Sequence, residues 1–181
     1  MTLNLPNYLT LLRICAIPLV VLFFYLEMPF MTAFTFGIAG LTDFVDGYLA
    51  RKYKLESRFG AFLDPVADKL LVTVGLLLVV EREGILWMTL AAIIIISREI
   101  TISALREWMA EVGQRSKVAV SYIGKVKAVT QILSIVFLLY NKDLFGVPIR
   151  ELGLFLLVIA TVLTVVSMVQ YLKDAFSNQE E

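Results

Sequence analysis

Histidine is absent from these 181 residues, and cysteine occurs once, as Cys15. The first absence removes His-based catalytic triads and His-ligated zinc from the chemistry available to this chain. The second removes an internal disulfide; Cys15, set in an apolar run, reads as a small buried hydrophobe. A surplus of either charge is also missing, because 16 basic and 16 acidic side chains cancel. A nucleic-acid partner, which needs a basic excess, is therefore not expected. The N-terminus lacks a positive leader and its first apolar run is too long for a cleaved signal, so it reads as a retained membrane segment.

What is abundant is apolar surface. Hydrophobic residues make up 59% of the chain, against about 45–50% in soluble domains. Six apolar runs approach the roughly 20 residues that a helix needs to cross a bilayer. They cover Tyr8–Glu27, Phe30–Ala50, Gly60–Val80, Ile85–Leu105, Ser121–Tyr140 and Glu151–Leu172. Short links and the lack of a second compositional block point to one domain over residues 1–181. The expected fold is all-α: a polytopic, six-transmembrane-helix bundle.

Basic residues orient it. Arg51, Lys52, Lys54 and Arg58 follow the second run, and Arg106, Arg115, Lys117, Lys125 and Lys127 surround the link after the fourth. The other side carries Arg82, Lys142 and Arg150. The positive-inside rule places the richer side, and with six spans both termini, in the cytoplasm.

Four aspartates interrupt the apolar pattern: Asp43, Asp46, Asp64 and Asp68. An ionised carboxylate at a helix centre costs about 2.5–3.5 kcal/mol on the insertion scale. Asp43 and Asp46 share a helix face at i, i+3, and Asp64 and Asp68 at i, i+4. Consecutive antiparallel helices bring the two pairs together near the cytoplasmic boundary. Such hard oxygen donors suit Mg²⁺, Mn²⁺ or Ca²⁺, and two pairs suit two ions acting on a phosphoryl group. A structural ion-pair network, a proton path or a cation route is the alternative, and Asp64-Pro65 also fits a helix start. Gly47, Ala50 and Gly60 permit close helix approach. Arg51 reads either as a phosphate ligand or as an interfacial anchor.

The pattern Asp43-x2-Asp46-Gly47-x2-Ala50-Arg51-x8-Gly60-x3-Asp64-x3-Asp68 resembles, without a departure, the signature of the CDP-alcohol phosphatidyltransferases. Segments 4–13 (NLPNYLTLLR), 58–70 (RFGAFLDPVADKL), 97–113 (SREITISALREWMAEVG) and 118–128 (VAVSYIGKVKA) are similar to bacterial members of that family that use sn-glycerol 3-phosphate. The resemblance implies an enzyme of the bacterial cytoplasmic membrane, homodimeric, with its site facing the cytoplasm. Its substrates are then CDP-diacylglycerol and sn-glycerol 3-phosphate, and its products phosphatidylglycerol phosphate and CMP. Asp43, Asp46 and Asp64 match metal ligands for Mg²⁺ or Mn²⁺. Asp68 matches the general base and also counts among the metal positions. Asn7, Thr10, Gly47, Arg51 and Ser57 match positions that hold CDP-diacylglycerol.

An acceptor that carries a phosphate needs a second basic site. Arg98, inside the fourth run, is the first candidate, with Arg106 and Lys125 beside it. The alternative is that Arg98 pairs with Glu99 or Glu107 and the others anchor the interface. Lys127 ranks below Lys125, Arg13 and Lys69 are left between snorkelling and ion pairing, and the sixth run reads as scaffold or dimer contact.

Overall fold

The computed structural model describes residues 5–53, 58–113 and 122–176, with side chains outside 5–6, 43–53, 58, 61 and 122. Six helices follow one another: α1 (Leu5–Tyr25), α2 (Pro29–Tyr53), α3 (Arg58–Glu83), α4 (Leu86–Glu111), α5 (Tyr122–Tyr140) and α6 (Ile149–Phe176). Each matches one of the six expected runs. Several outlast their run by a few residues. Among the described residues, four stretches are long and apolar enough to span a membrane: Asn7–Tyr25, Leu86–Glu111, Ile123–Tyr140 and Ile149–Phe176. The apolar stretch described in α2 is shorter, Pro29–Thr42. In α3 the sequence itself breaks the apolar run, with Asp64, Asp68 and Lys69 near one end and Glu81, Arg82 and Glu83 at the other.

The chain is a multi-pass membrane protein, and its surface agrees with that. Phe34, Leu41, Phe62, Leu77, Ile93 and Phe155 are all exposed, an outward apolar face that a soluble monomer would not carry. Cys15 belongs to that outer face. It is exposed rather than buried, which corrects the sequence reading.

Packing is tight where small residues allow it. A Cβ on Gly75 would stand 2.5 Å from Phe36 Cε2 and 2.8 Å from Ile135 Cγ2, so α3 meets α2 and α5 there with no room for a side chain. Val20, Phe36, Leu71, Leu76, Met88, Ile95, Ile135, Leu138 and Leu157 form the main core around this crossing. A separate small core joins α4 to α6 beyond it, built from Ile102, Leu105, Met109, Tyr171 and Ala175. Gly84, at φ 61°, closes the two-residue turn between α3 and α4. The packing pairs α1 with α2 and α3, α5 with α6 and α2, and α4 with α6.

Pro65 lies inside α3, not at its start. The helix-start reading of Asp64-Pro65 is therefore corrected: Asp64 and Asp68 stand one turn apart on a continuous helix.

Candidate active site

The up-and-down order of the helices gathers polar residues from all six at one end. Successive helices contribute alternately their N-terminal and C-terminal parts: Asn7, Thr10 and Arg13 from α1, Thr42 from α2, Asp64 and Asp68 from α3, Arg98, Glu99 and Arg106 from α4, Lys127 from α5, and Ser167 and Tyr171 from α6. Asn7, Thr10, Arg13, Arg98, Lys127 and Ser167 are all buried. Buried polar groups inside an apolar bundle are stable only when paired, so their partners reveal the layout.

The acidic half is tied to α1. The Thr10 hydroxyl donates to Asp64 Oδ1 at 2.5 Å. Arg13, 1% exposed, neither snorkels nor reaches solvent; its Nε donates to Thr42 Oγ1 at 3.5 Å, one residue before Asp43. The N-terminal turns of α1 thus brace both acidic helices. Asp64 and Asp68 are half-buried. Asp43, Asp46, Gly47 and Arg51 lie on α2, and their side chains are outside the described residues, as is the whole of Ser57. Among the described residues no group of three or more His, Cys, Asp or Glu side chains gathers.

The basic half lies between α4, α5 and α6. Arg98, 7% exposed, donates from Nη2 to Ser167 Oγ at 3.1 Å. Its Nη1 stands 3.6 Å from Glu99 Oε1, the ion pair considered from sequence. Arg106 Nη2 donates to the Tyr171 hydroxyl at 2.8 Å. Glu99 also accepts from Lys127 Nζ in a close ion pair. Among the described residues, Nε of Arg98 and Nε of Arg106 are buried without a hydrogen-bond partner.

Lys125 is exposed, whereas Lys127, ranked lower from sequence, is buried in this cluster. Two positions along a helix turn the side chain by about 200°, so the two lysines cannot share a face. Lys69 turns back to its own helix, donating to the Pro65 carbonyl at 3.2 Å. Ser167 and Tyr171 had no sequence reading beyond scaffold. Their i, i+4 spacing, which puts both on one face of α6, is the available signal.

The halves adjoin. Lys127 is ion-paired with Glu99 and also feels the charges of Arg98 and Asp68. The arrangement offers a carboxylate able to take a proton beside a cluster of cations with donors left for an anion.

The match to known proteins runs almost the length of the chain. The family model described as CDP-alcohol phosphatidyltransferase matches residues 3–167. A CDP-diacylglycerol–glycerol-3-phosphate 3-phosphatidyltransferase of Haemophilus influenzae is 52% identical over 178 residues, covering 97% of this chain and 95% of that protein. Proteins of the same description from Escherichia coli K12 and Shigella flexneri serotype 5b are each 49% identical over 178 residues, covering 97% of this chain and 96% of theirs.

Proposed function

We infer the reaction from one premise: this chain belongs to the CDP-alcohol phosphatidyltransferase family. It is an enzyme that transfers the phosphatidyl group of CDP-diacylglycerol to sn-glycerol 3-phosphate, giving phosphatidylglycerol phosphate and CMP. The observation that carries this reading is the burial of Arg98 and Lys127 at the same end of the bundle as Asp64 and Asp68, which puts a candidate base and a candidate anion site on one side of the membrane fold.

Asp43, Asp46, Asp64 and Asp68 fit Mg²⁺ or Mn²⁺ by donor chemistry: all are hard oxygen ligands, and no His or second Cys competes. Bound there, two such ions would neutralise the diphosphate and the charge developing on the leaving phosphate. The protein's own groups do the rest. Thr10 holds Asp64 in one orientation through its 2.5 Å hydrogen bond. Arg98 and Arg106 bind the acceptor phosphate, replacing the water it loses with charge-assisted donors. Lys127, held by Glu99, supports the same anion. Asp68 takes the proton of the acceptor hydroxyl as that oxygen bonds to the phosphatidyl phosphorus. The bond from that phosphorus to CMP then breaks, and CMP carries away the electron pair. Asn7, Thr10, Gly47, Arg51 and Ser57 are proposed to hold the donor nucleotide while its acyl chains stay in the bilayer.

The proposed setting is the bacterial cytoplasmic membrane, both termini and the site facing the cytoplasm, where CDP and glycerol phosphate are available; the proposed assembly is a homodimer. Metal dependence has a direct test on the purified protein. Chelation is expected to abolish CMP release, and Mg²⁺ or Mn²⁺ to restore it. Full turnover in the presence of a strong chelator would remove the metals from the mechanism.

A further inference from the structure

Tyr171 lies on α6 beyond the stretch that the family model covers, and no step above uses it. We propose that Tyr171 is a positioning residue: it holds Arg98 and Arg106 at the separation that a phosphomonoester acceptor requires. The proposal rests on the reading of these two arginines as the acceptor site.

The geometry sets the problem that Tyr171 solves. Arg98 and Arg106 are eight residues apart on α4, roughly 12 Å along the helix axis. Two long, flexible, like-charged side chains in a medium of low dielectric repel and would splay apart. Instead both guanidinium carbons lie close to one ring, 5.4 Å from its centroid for Arg98 and 5.0 Å for Arg106. Cation–π attraction to a shared ring opposes their mutual repulsion. The Tyr171 hydroxyl adds a directional anchor by accepting from Arg106 Nη2 at 2.8 Å.

The ring is itself fixed. Tyr171 is 3% exposed and packs among Ile102, Leu105, Met109 and Ala175 in the small α4–α6 core. One turn earlier, Ser167 Oγ donates to the Thr164 carbonyl at 3.0 Å and accepts from Arg98 Nη2 at 3.1 Å. Ser167 and Tyr171 therefore hydrogen-bond one arginine each from a single face of α6, while the Tyr171 ring contacts both. Nε of each arginine is buried and without a hydrogen-bond partner among the described residues, so neither guanidinium is saturated by the protein. A purely structural cation cluster would use such donors on protein acceptors. Donors left over on two fixed cations suit the several oxygens of a phosphate dianion.

The test compares Tyr171→Phe with Tyr171→Leu, and with Arg106→Gln as the control on the underlying reading. Tyr171→Phe keeps the ring and loses only the hydroxyl. It is expected to raise KM for sn-glycerol 3-phosphate about tenfold, the lower range for a hydrogen bond to a charged group. KM for CDP-diacylglycerol and kcat are expected to move by about twofold or less, because those steps do not depend on the bond. Tyr171→Leu is expected to raise the acceptor KM further, so that Phe at 171 rescues part of the loss through its ring. Equal changes in both KM values, or no change in either, while Arg106→Gln selectively weakens the acceptor, would overturn the role of Tyr171 alone. An acceptor KM untouched by Arg106→Gln as well would overturn the acceptor site and the proposal with it.

Discussion

Thr10 and Asp64, 54 residues apart in the chain, are joined by a hydrogen bond of 2.5 Å in which the hydroxyl donates to the carboxylate. The bond crosses from α1 to α3 and fixes one acid of the signature before any ligand binds. Thr10→Val keeps the shape and removes the donor. A charge-assisted hydrogen bond contributes about 1.5–3 kcal/mol, so kcat is expected to fall by about tenfold or more. Thr10→Ser, which retains the hydroxyl, is expected to keep most of the activity. Steady-state kinetics on the three proteins decides it, and a Val variant as fast as the parent would separate Thr10 from the chemistry.

Asp68 is assigned the proton transfer. Asp68→Asn keeps the shape but loses the basic oxygen. CMP release is expected to fall at least about 10²-fold, within the range for loss of general-base catalysis, while binding of CDP-diacylglycerol stays detectable by calorimetry. Near-parental turnover in this variant would remove Asp68 as the base.

Lys127 and Glu99 form a close ion pair, with Lys127 buried and the Glu99 side chain 24% exposed. Removing one partner of a buried pair costs about 3–5 kcal/mol, and the exposure of Glu99 puts this pair at or below the lower end. Lys127→Met should therefore lower the thermal midpoint in detergent clearly. The double variant with Glu99→Gln should recover part of that loss, because no unpaired charge is left. Additive losses would mean that the two side chains are not coupled.

Gly75 tests the packing that brings α3 to its neighbours. Alanine in a helix gains up to about 1 kcal/mol in propensity over glycine. Its Cβ would stand 2.5 Å from the ring of fully buried Phe36, and overpacking of this kind costs about 1–3 kcal/mol. The clash outweighs the gain, so Gly75→Ala should be less stable to heat, with little change in either KM of the folded enzyme. A more stable variant would contradict the close approach.

The α3 pair of acids was legible because it is local. Asp64 and Asp68 lie one turn apart on one helix, and helical periodicity alone puts them on one face. The basic site was only half legible. Arg98 stood out because a guanidinium in an apolar run needs a reason. The choice between Lys125 and Lys127 depends on which face of α5 turns into the bundle, and that is set by tertiary packing. Arg13 was undecidable for the same reason, since its partner Thr42 lies on another helix. Tyr171 was least legible: an aromatic residue in an apolar helix resembles any lipid-facing ring until the arginines across from it are placed.

The proposal that Asp68 works with a cation cluster that binds the acceptor phosphate is tested most directly by acceptor choice. CMP release from CDP-diacylglycerol is measured with purified protein, Mg²⁺ or Mn²⁺, and one alcohol at a time: sn-glycerol 3-phosphate, glycerol, serine and inositol. The expected result is rapid release with sn-glycerol 3-phosphate and little with any alcohol that lacks a phosphate. Release driven by an uncharged alcohol, with sn-glycerol 3-phosphate inactive, would contradict both the acceptor and the role of Arg98.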